Sequence, residues 1–175
     1  MSARSNAADV LRVGPAPDDS ILRLVNRYGV VLRQLADAEP LPGSYWGDGE
    51  AGLRGNALYV RADTPLHSLL HELSHFVCMS PDRRNGLDRD AGGDDAEECA
   101  VCYLQILLAD ELPLLGRERM LEDMDAWGYT FRLGSARAWF EQDATDACIW
   151  LHSHGVVQDG RPTFQLNTRP ARVHP

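Results

Sequence analysis

The residues His71-Glu72-Leu73-Ser74-His75 constrain this chain more than any other feature. Histidines four apart share one face of an α-helix, so both imidazoles can reach one ion. Glu72, next to the first of them, can lean over a water activated at that ion. The five residues lie in an apolar run (Leu69, Leu70, Leu73, Phe76, Val77) that reads as a buried helix. Thr64-Pro65 supplies its start, with Thr as N-cap and Pro in the first position. Its end is expected near Met79, before Pro81. Ala57 to Arg61 is short and β-prone, and reads as an edge strand ahead of this helix.

A metal held by two histidines needs a third ligand. His67 continues the same face, but His67 and His75 are two turns apart, roughly 12 Å along the axis, so one ion cannot take all three. His67 is therefore read as a supporting or structural residue. The run Asp94-Asp95-Ala96-Glu97-Glu98 opens the next predicted helix, which runs to about Asp110. Glu97 lines up with Ala100, Val101, Leu104, Leu107 and Leu108, the apolar face. Glu98 lines up with Cys102, Gln105 and Ala109, a more polar face. If the ligand must turn inward, helix phase selects Glu97, with Glu98 as the alternate. Glutamates in a first turn also suit the helix dipole without any metal.

The rest of the chain reads as support. Residues 1–18 are expected to form a flexible tail, 19–160 a single metal-binding domain, and 161–175 a C-terminal tail. Asp18 or Asp19 caps a first helix running to about Asp37, or only to Gly29 with 30–34 extended. Residues 40–56, rich in Gly and Pro, form a long loop that places Tyr45 and Trp46, and loop 43–55 with strand 57–61 would rim the cleft. A connection follows from Asp82 to Asp94, then a helix from Arg117 to Trp127 ending at Gly128, and a last long helix from Ser135 to about Gly155. Thr163 to Leu166 is an extended segment. The fold class is α+β, mainly helical, with a small sheet packed on the histidine helix.

Composition narrows the chemistry. The 17 positive side chains are all Arg. That excludes Schiff-base lysines and Walker-type phosphate loops, and codon bias in a GC-rich genome is its plain explanation. A net charge of −9 with scattered Arg argues against nucleic acid as a partner. No apolar leader is visible, and the longest apolar stretch, Ala100 to Ala109, is too short to span a bilayer. The expected setting is the cytoplasm, away from membranes, with the four Cys reduced. Cys99-x-x-Cys102 falls mid-helix with no second pair and reads as core packing. Tyr103, His152 and His154 are candidates to support the site or donate to an oxyanion, alongside Tyr45 and Tyr129. Trp127, Trp139 and Trp150 read as core. The implied partner is a peptide or protein substrate, and no oligomeric state is implied.

The pattern resembles the gluzincin group of zincin metallopeptidases, in which His-Glu-x-x-His is followed by a Glu on a later helix. Glu97-x-x-Ala100 looks like the third-ligand motif of several families in that group. The resemblance implies a zincin-like fold, zinc bound by His71, His75 and Glu97, and Glu72 as general base for peptide hydrolysis. The metzincin pattern fails at Cys78 and Pro81, and the upstream Cys ligand of peptide deformylases is absent. Leu66 to about Leu108 also resembles the elongation factor P hydroxylases. The matching residues are Leu70 to Phe76, Arg83-Arg84, Glu97, Tyr103 and Ile106-Leu107, with His152 to Val156 near a comparable Gly-ended helix. That resemblance implies a non-haem Fe(II) oxygenase using the same three ligands. A zincin fold retained as a non-catalytic metal-binding module is the third expectation.

Overall fold

The computed structural model of the chain describes residues 9–44, 49–88 and 91–171. Asp18 caps the first helix, its carboxylate accepting the Ser20 N–H at 2.8 Å. This helix, α1 (Asp19–Arg27), buries Ile21, Leu24 and Val25 and stops where Gly29 takes a left-handed φ of 72°. The shorter of the two expected helices is thus the one formed, and residues beyond Gly29 extend into β1 (Val31–Gln34). β2 (Gly52–Arg54) and β3 (Ala57–Val60) complete a mixed sheet in the order β1-β3-β2, with β3 parallel to β1 and antiparallel to β2.

The strand expected at an edge is therefore the central one, and Leu58 and Val60 on it are fully buried. The sequence around β2 had read only as loop. The outer side of β2 is closed by residues 42–44. A Cβ on Gly52 would lie 2.1 Å from the Pro42 carbonyl oxygen, and one on Gly43 2.3 Å from that of Leu53. Only glycine permits this approach.

α2 (Leu66–Cys78) carries the two histidines. It begins one residue later than expected: Pro65 is the N-cap, while the Thr64 hydroxyl accepts the Arg61 N–H at 2.9 Å. Leu69, Leu70, Leu73 and Val77 are fully buried between the sheet and the next long helix. The connection after α2 contains a short helix, α3 (Pro81–Asn85). α4 (Asp95–Leu108) is capped by Asp94, whose carboxylate accepts the Glu97 N–H at 2.9 Å. A 3-10 turn (Ala109–Glu111) leads to α5 (Gly116–Trp127), which ends at Gly128 with φ 100°.

The single long helix expected from Ser135 is two: α6 (Ala136–Gln142) and α7 (Thr145–Ser153). Asp143 and Thr145, poor helix formers, stand at the break, and the Asp143 carboxylate is bound by Arg132 at 2.8 Å. α4 lies between α2 on one side and α7 on the other. The architecture is α+β, and among the described residues no helix is long and apolar enough to cross a membrane.

The described ends of the chain are sewn onto α2. Val10 and Val13 are buried, the Leu11 N–H donates to Asp123 at 2.9 Å, and Arg12 bridges to Pro65. At the other end, β4 (Val157–Gln158) and β5 (Arg161–Pro162) form a hairpin across Asp159-Gly160, both with positive φ. The segment expected as a C-terminal tail then enters the core. Buried Asn167 donates its backbone N–H to the Val77 carbonyl at 2.9 Å and its side-chain Nδ2 to that of Cys78 at 2.8 Å. The Arg84 guanidinium donates to the carbonyls of Phe76, Met79 and Asn167. Phe76, Val77 and Cys78 belong to the last turn of α2, whose carbonyls a helix end leaves without partners. Asn167→Ala should therefore cost about 1–3 kcal/mol in urea unfolding, from a lost bond and a buried orphan carbonyl. A loss under about 0.5 kcal/mol would show that Arg84 closes α2 alone.

Candidate metal centre

One turn of α2 separates His71 from His75 and brings their Nε2 atoms to 3.1 Å. α4 supplies a carboxylate to both: Glu98 Oε1 is 3.3 Å from His71 Nε2, and Oε2 is 3.3 Å from His75 Nε2. One donor atom from each of these three residues lies within 4.8 Å of the other two, an arrangement able to hold a metal ion.

Glu97, chosen from helix phase, is not at this cluster. Its carboxylate is held by Arg83 through Nη1–H to Oε2 at 2.7 Å and Nη2–H to Oε1 at 3.0 Å. The physical reason is that α4 is buried on two sides. Its apolar face, shared by Glu97, turns toward α3 and α7, where Glu97 lines a second cavity with Arg83, Trp150 and His154. Its more polar face, with Glu98, Cys102 and Gln105, is the one that meets α2. The expectation was that a ligand turns inward; α4 is covered on two sides, and the half-exposed Glu98 lies on the side that faces α2.

Gln105 orients the first histidine. Its Nε2 donates to the His67 carbonyl at 3.1 Å, so its Oε1 faces His71 Nδ1, 2.8 Å away. Gln105 thus holds the proton on His71 Nδ1, so the neutral ring would offer its Nε2 toward His75 and Glu98. Burial opposes a charge on His71, but Tyr129, Cys102 and Glu98 outweigh it, and its pKa stands well above the ordinary histidine value. Burial also works against the Glu98 carboxylate, yet its hydrogen bond to His71 and the two imidazoles hold its pKa below normal. The field at the cluster thus favours positive charge between the three side chains.

The cluster opens into a cleft of about 570 Å³ lined by Glu72, Ser68, Glu50, Gly43, Trp127 and Tyr129, among others. Glu72 thus lines the same cleft as both histidines. The rim includes Gly43 and Glu50 but no residue of strand 57–61, which lies in the middle of the sheet. Trp127, expected in the core, is half-buried in the cleft wall, where its Nε1–H donates to Glu50 Oε1 at 2.9 Å. Burial pushes the Tyr129 hydroxyl up to about 12, so it is a neutral donor in the cleft.

His67 lies behind the site, sharing a hydrogen bond with Tyr129 at 3.3 Å and packing on Trp127. Tyr103 stacks on Phe140 away from the cleft, His152 is exposed, and His154 stacks on Trp150 at the second cavity. Those three are not brought to the site. Cys102 is buried as expected, and so is Cys78, but Cys99 is exposed. Tyr45 and Trp46 lie outside the described residues.

Sequence reasoning passed over Gln105 and Glu50. Gln105 carried a signal: an amide seven residues after Glu98, on the same face of an otherwise apolar helix. Glu50 sat in a loop without periodicity and carried none. Comparisons with protein-family models, with curated proteins and with solved structures give no match.

Burial, reinforced by the positive charges of His71 and Arg12, depresses His67 to about 3, and its Nε2 has no hydrogen-bond partner among the described residues. It is folded in as a neutral ring and gains a proton on unfolding below its ordinary value of 6.5. The folded state therefore binds fewer protons there, and stability is lost as pH falls from 6.5 toward 3. Across pH 6 to 4 this group alone should cost roughly 2–3 kcal/mol. Urea unfolding of metal-free wild type and His67→Gln at both pH values should show a shallower loss in the variant. Equal losses would mean that His67 is already charged in the folded protein.

Proposed function

We propose that the protein is a mononuclear metal enzyme in which His71, His75 and Glu98 bind one divalent ion, zinc by preference, and Glu72 serves as general base in hydrolysing an amide bond of a peptide or protein. The spacing of the three donors carries this reading. Ligands 2.0–2.1 Å from a tetrahedral ion lie about 3.3 Å from one another; here the two histidine nitrogens are 3.1 Å apart and each lies 3.3 Å from a different oxygen of Glu98, so the carboxylate reaches both. Two neutral imidazole nitrogens and a carboxylate also form a donor set that suits zinc. The sheet packed against α2 agrees with a zincin-like fold, which is part of the proposal.

The ion, when bound, would polarise the scissile carbonyl and lower the pKa of water. The chain's own groups do the rest. Glu72 accepts the proton of the attacking water and returns it to the leaving amine. Tyr129, neutral and facing the cleft, donates a hydrogen bond to the developing oxyanion. Gln105 keeps His71 in the tautomer that offers Nε2. The walls built by Trp127, Ser68 and Gly43 shield this chemistry from bulk water.

An iron oxygenase of the hydroxylase kind is the second reading. The 3.1 Å between the histidine nitrogens also matches the edge of a six-coordinate ion with similar bond lengths, about 3.0 Å.

Metal analysis of protein purified without added metal should find zinc near one equivalent. Iron, with no hydrolysis of a fluorogenic peptide library, would move the assignment to the oxygenase, and metal binding without either activity would leave a binding module. Glu98→Gln should abolish stoichiometric zinc binding, while Glu97→Gln, which can still accept from Arg83, should retain it. The reverse result would return the ligand role to Glu97. Glu72→Gln should keep the metal and slow peptide cleavage by about 10²–10⁴-fold. Unchanged cleavage in that variant would remove Glu72 from the mechanism.

A further inference from the structure

The proposed carboxylate ligand stands in the first turn of a helix. Glu98 is the fourth residue of α4, and its backbone N–H reaches only the capping residue Asp94, at 3.0 Å. First turns fray, because the backbone groups there have few intrahelical partners. A ligand placed there needs something outside the helix to hold the turn.

Arg83 on α3 meets that need. Its guanidinium grips both oxygens of Glu97, the residue preceding Glu98, and donates as well to the carbonyl of Ala91. Ala91 and Gly92 line the metal cleft, whereas Gly93, Arg83 and Glu97 line the second cavity, of about 280 Å³. The segment 91–93 is thus a thin wall between the two spaces, and Arg83 binds it from behind. The two glycines fit this clamp. Gly92 and Gly93 have φ of 61° and 110°, and a Cβ on Gly93 would come within 2.9 Å of Glu97 Oε1. The fork geometry matters, since a planar guanidinium can serve a carboxylate and a carbonyl at once, and an ammonium cannot present that pattern.

We propose that Arg83 is a positioning residue for the metal centre: by clamping Glu97 and the Ala91 carbonyl it fixes the first turn of α4 so that Glu98 is presented to His71 and His75. This rests on the metal reading above. It assigns Glu97, set aside as a ligand, the task of anchoring its neighbour.

The test is zinc affinity, measured by chelator competition on the full chain, alongside thermal melting of the metal-free proteins. Arg83→Met should weaken zinc binding about 10–100-fold, as loss of a group that supports a metal ligand does. Arg83→Lys should recover part of that loss. Because Arg83→Met leaves a buried carboxylate unpaired, the double variant Arg83→Met/Glu97→Met is needed. It should regain metal-free melting through an apolar pair while its zinc affinity stays low. Wild-type affinity in Arg83→Met, or its full recovery in the double variant, would overturn the positioning role and leave the metal reading intact. Absence of saturable zinc, iron or cobalt binding by the wild-type protein would overturn both.

Discussion

The side-chain amide of Gln105 ties the two helices of the site together, and the geometry of the centre depends on it. It is fully buried, donates to a carbonyl of α2 and accepts from an imidazole of α2. Sliding α4 by one residue, or turning it by the corresponding 100°, would leave an amide and a histidine nitrogen buried without partners. Each such group costs about 1–3 kcal/mol, a large share of a domain's net stability. Apolar packing between α2 and α4 tolerates many registers, because leucine contacts are non-directional. The amide selects the one in which Glu98 faces the histidines.

Around that seam the charges follow the helix ends. Glu98 occupies the N-terminal turn of α4, where the dipole favours an anion, and His75 the last turn of α2, where it favours a cation. A positive ion between them would be stabilised from both directions. The same ends need partners for their backbone groups, and the chain recruits them from far away in sequence. Asp94 caps α4, while Arg84 and Asn167 close α2. The C-terminal segment is therefore structural through Asn167, although its composition is that of a loose tail.

What could be read beforehand followed from periodicity and local chemistry. The histidine helix, helix starts at the Asp94-Asp95 run and at Ser135, the stop at Gly128 and the α+β class were legible because each is a short-range property. The Asp159-Gly160 dipeptide favours the turn it adopts, but the sequence reading placed no hairpin there. The place of β3 in its sheet was not, because strand order depends on β2, three residues hidden in a glycine-rich stretch. Helix phase pointed to Glu97 while Glu98 is the one beside the histidines, for a related reason. Helix phase shows which face is apolar, and it cannot show that α7 covers that face while α2 covers the polar one. Amphipathic reasoning assumes one core side, and α4 has two.

The absence of lysine then acquires a structural meaning beyond codon usage. Several buried or half-buried cations here serve more than one acceptor. Arg83 joins a carboxylate to a carbonyl, Arg84 gathers carbonyls from α2 and from Asn167, and Arg119 joins Asp123 to the Asp9 carbonyl. A guanidinium offers five donors in a plane and stays charged when partly dehydrated, whereas an ammonium is compact, strongly hydrated and gives up its proton more readily on burial. Burial does lower Arg84, yet a guanidinium is not deprotonated in proteins. A lysine in its place would start about two units lower and reach fewer carbonyls. The positions that close α2 and clamp the start of α4 are thus places where arginine is required by geometry, whatever first made it abundant.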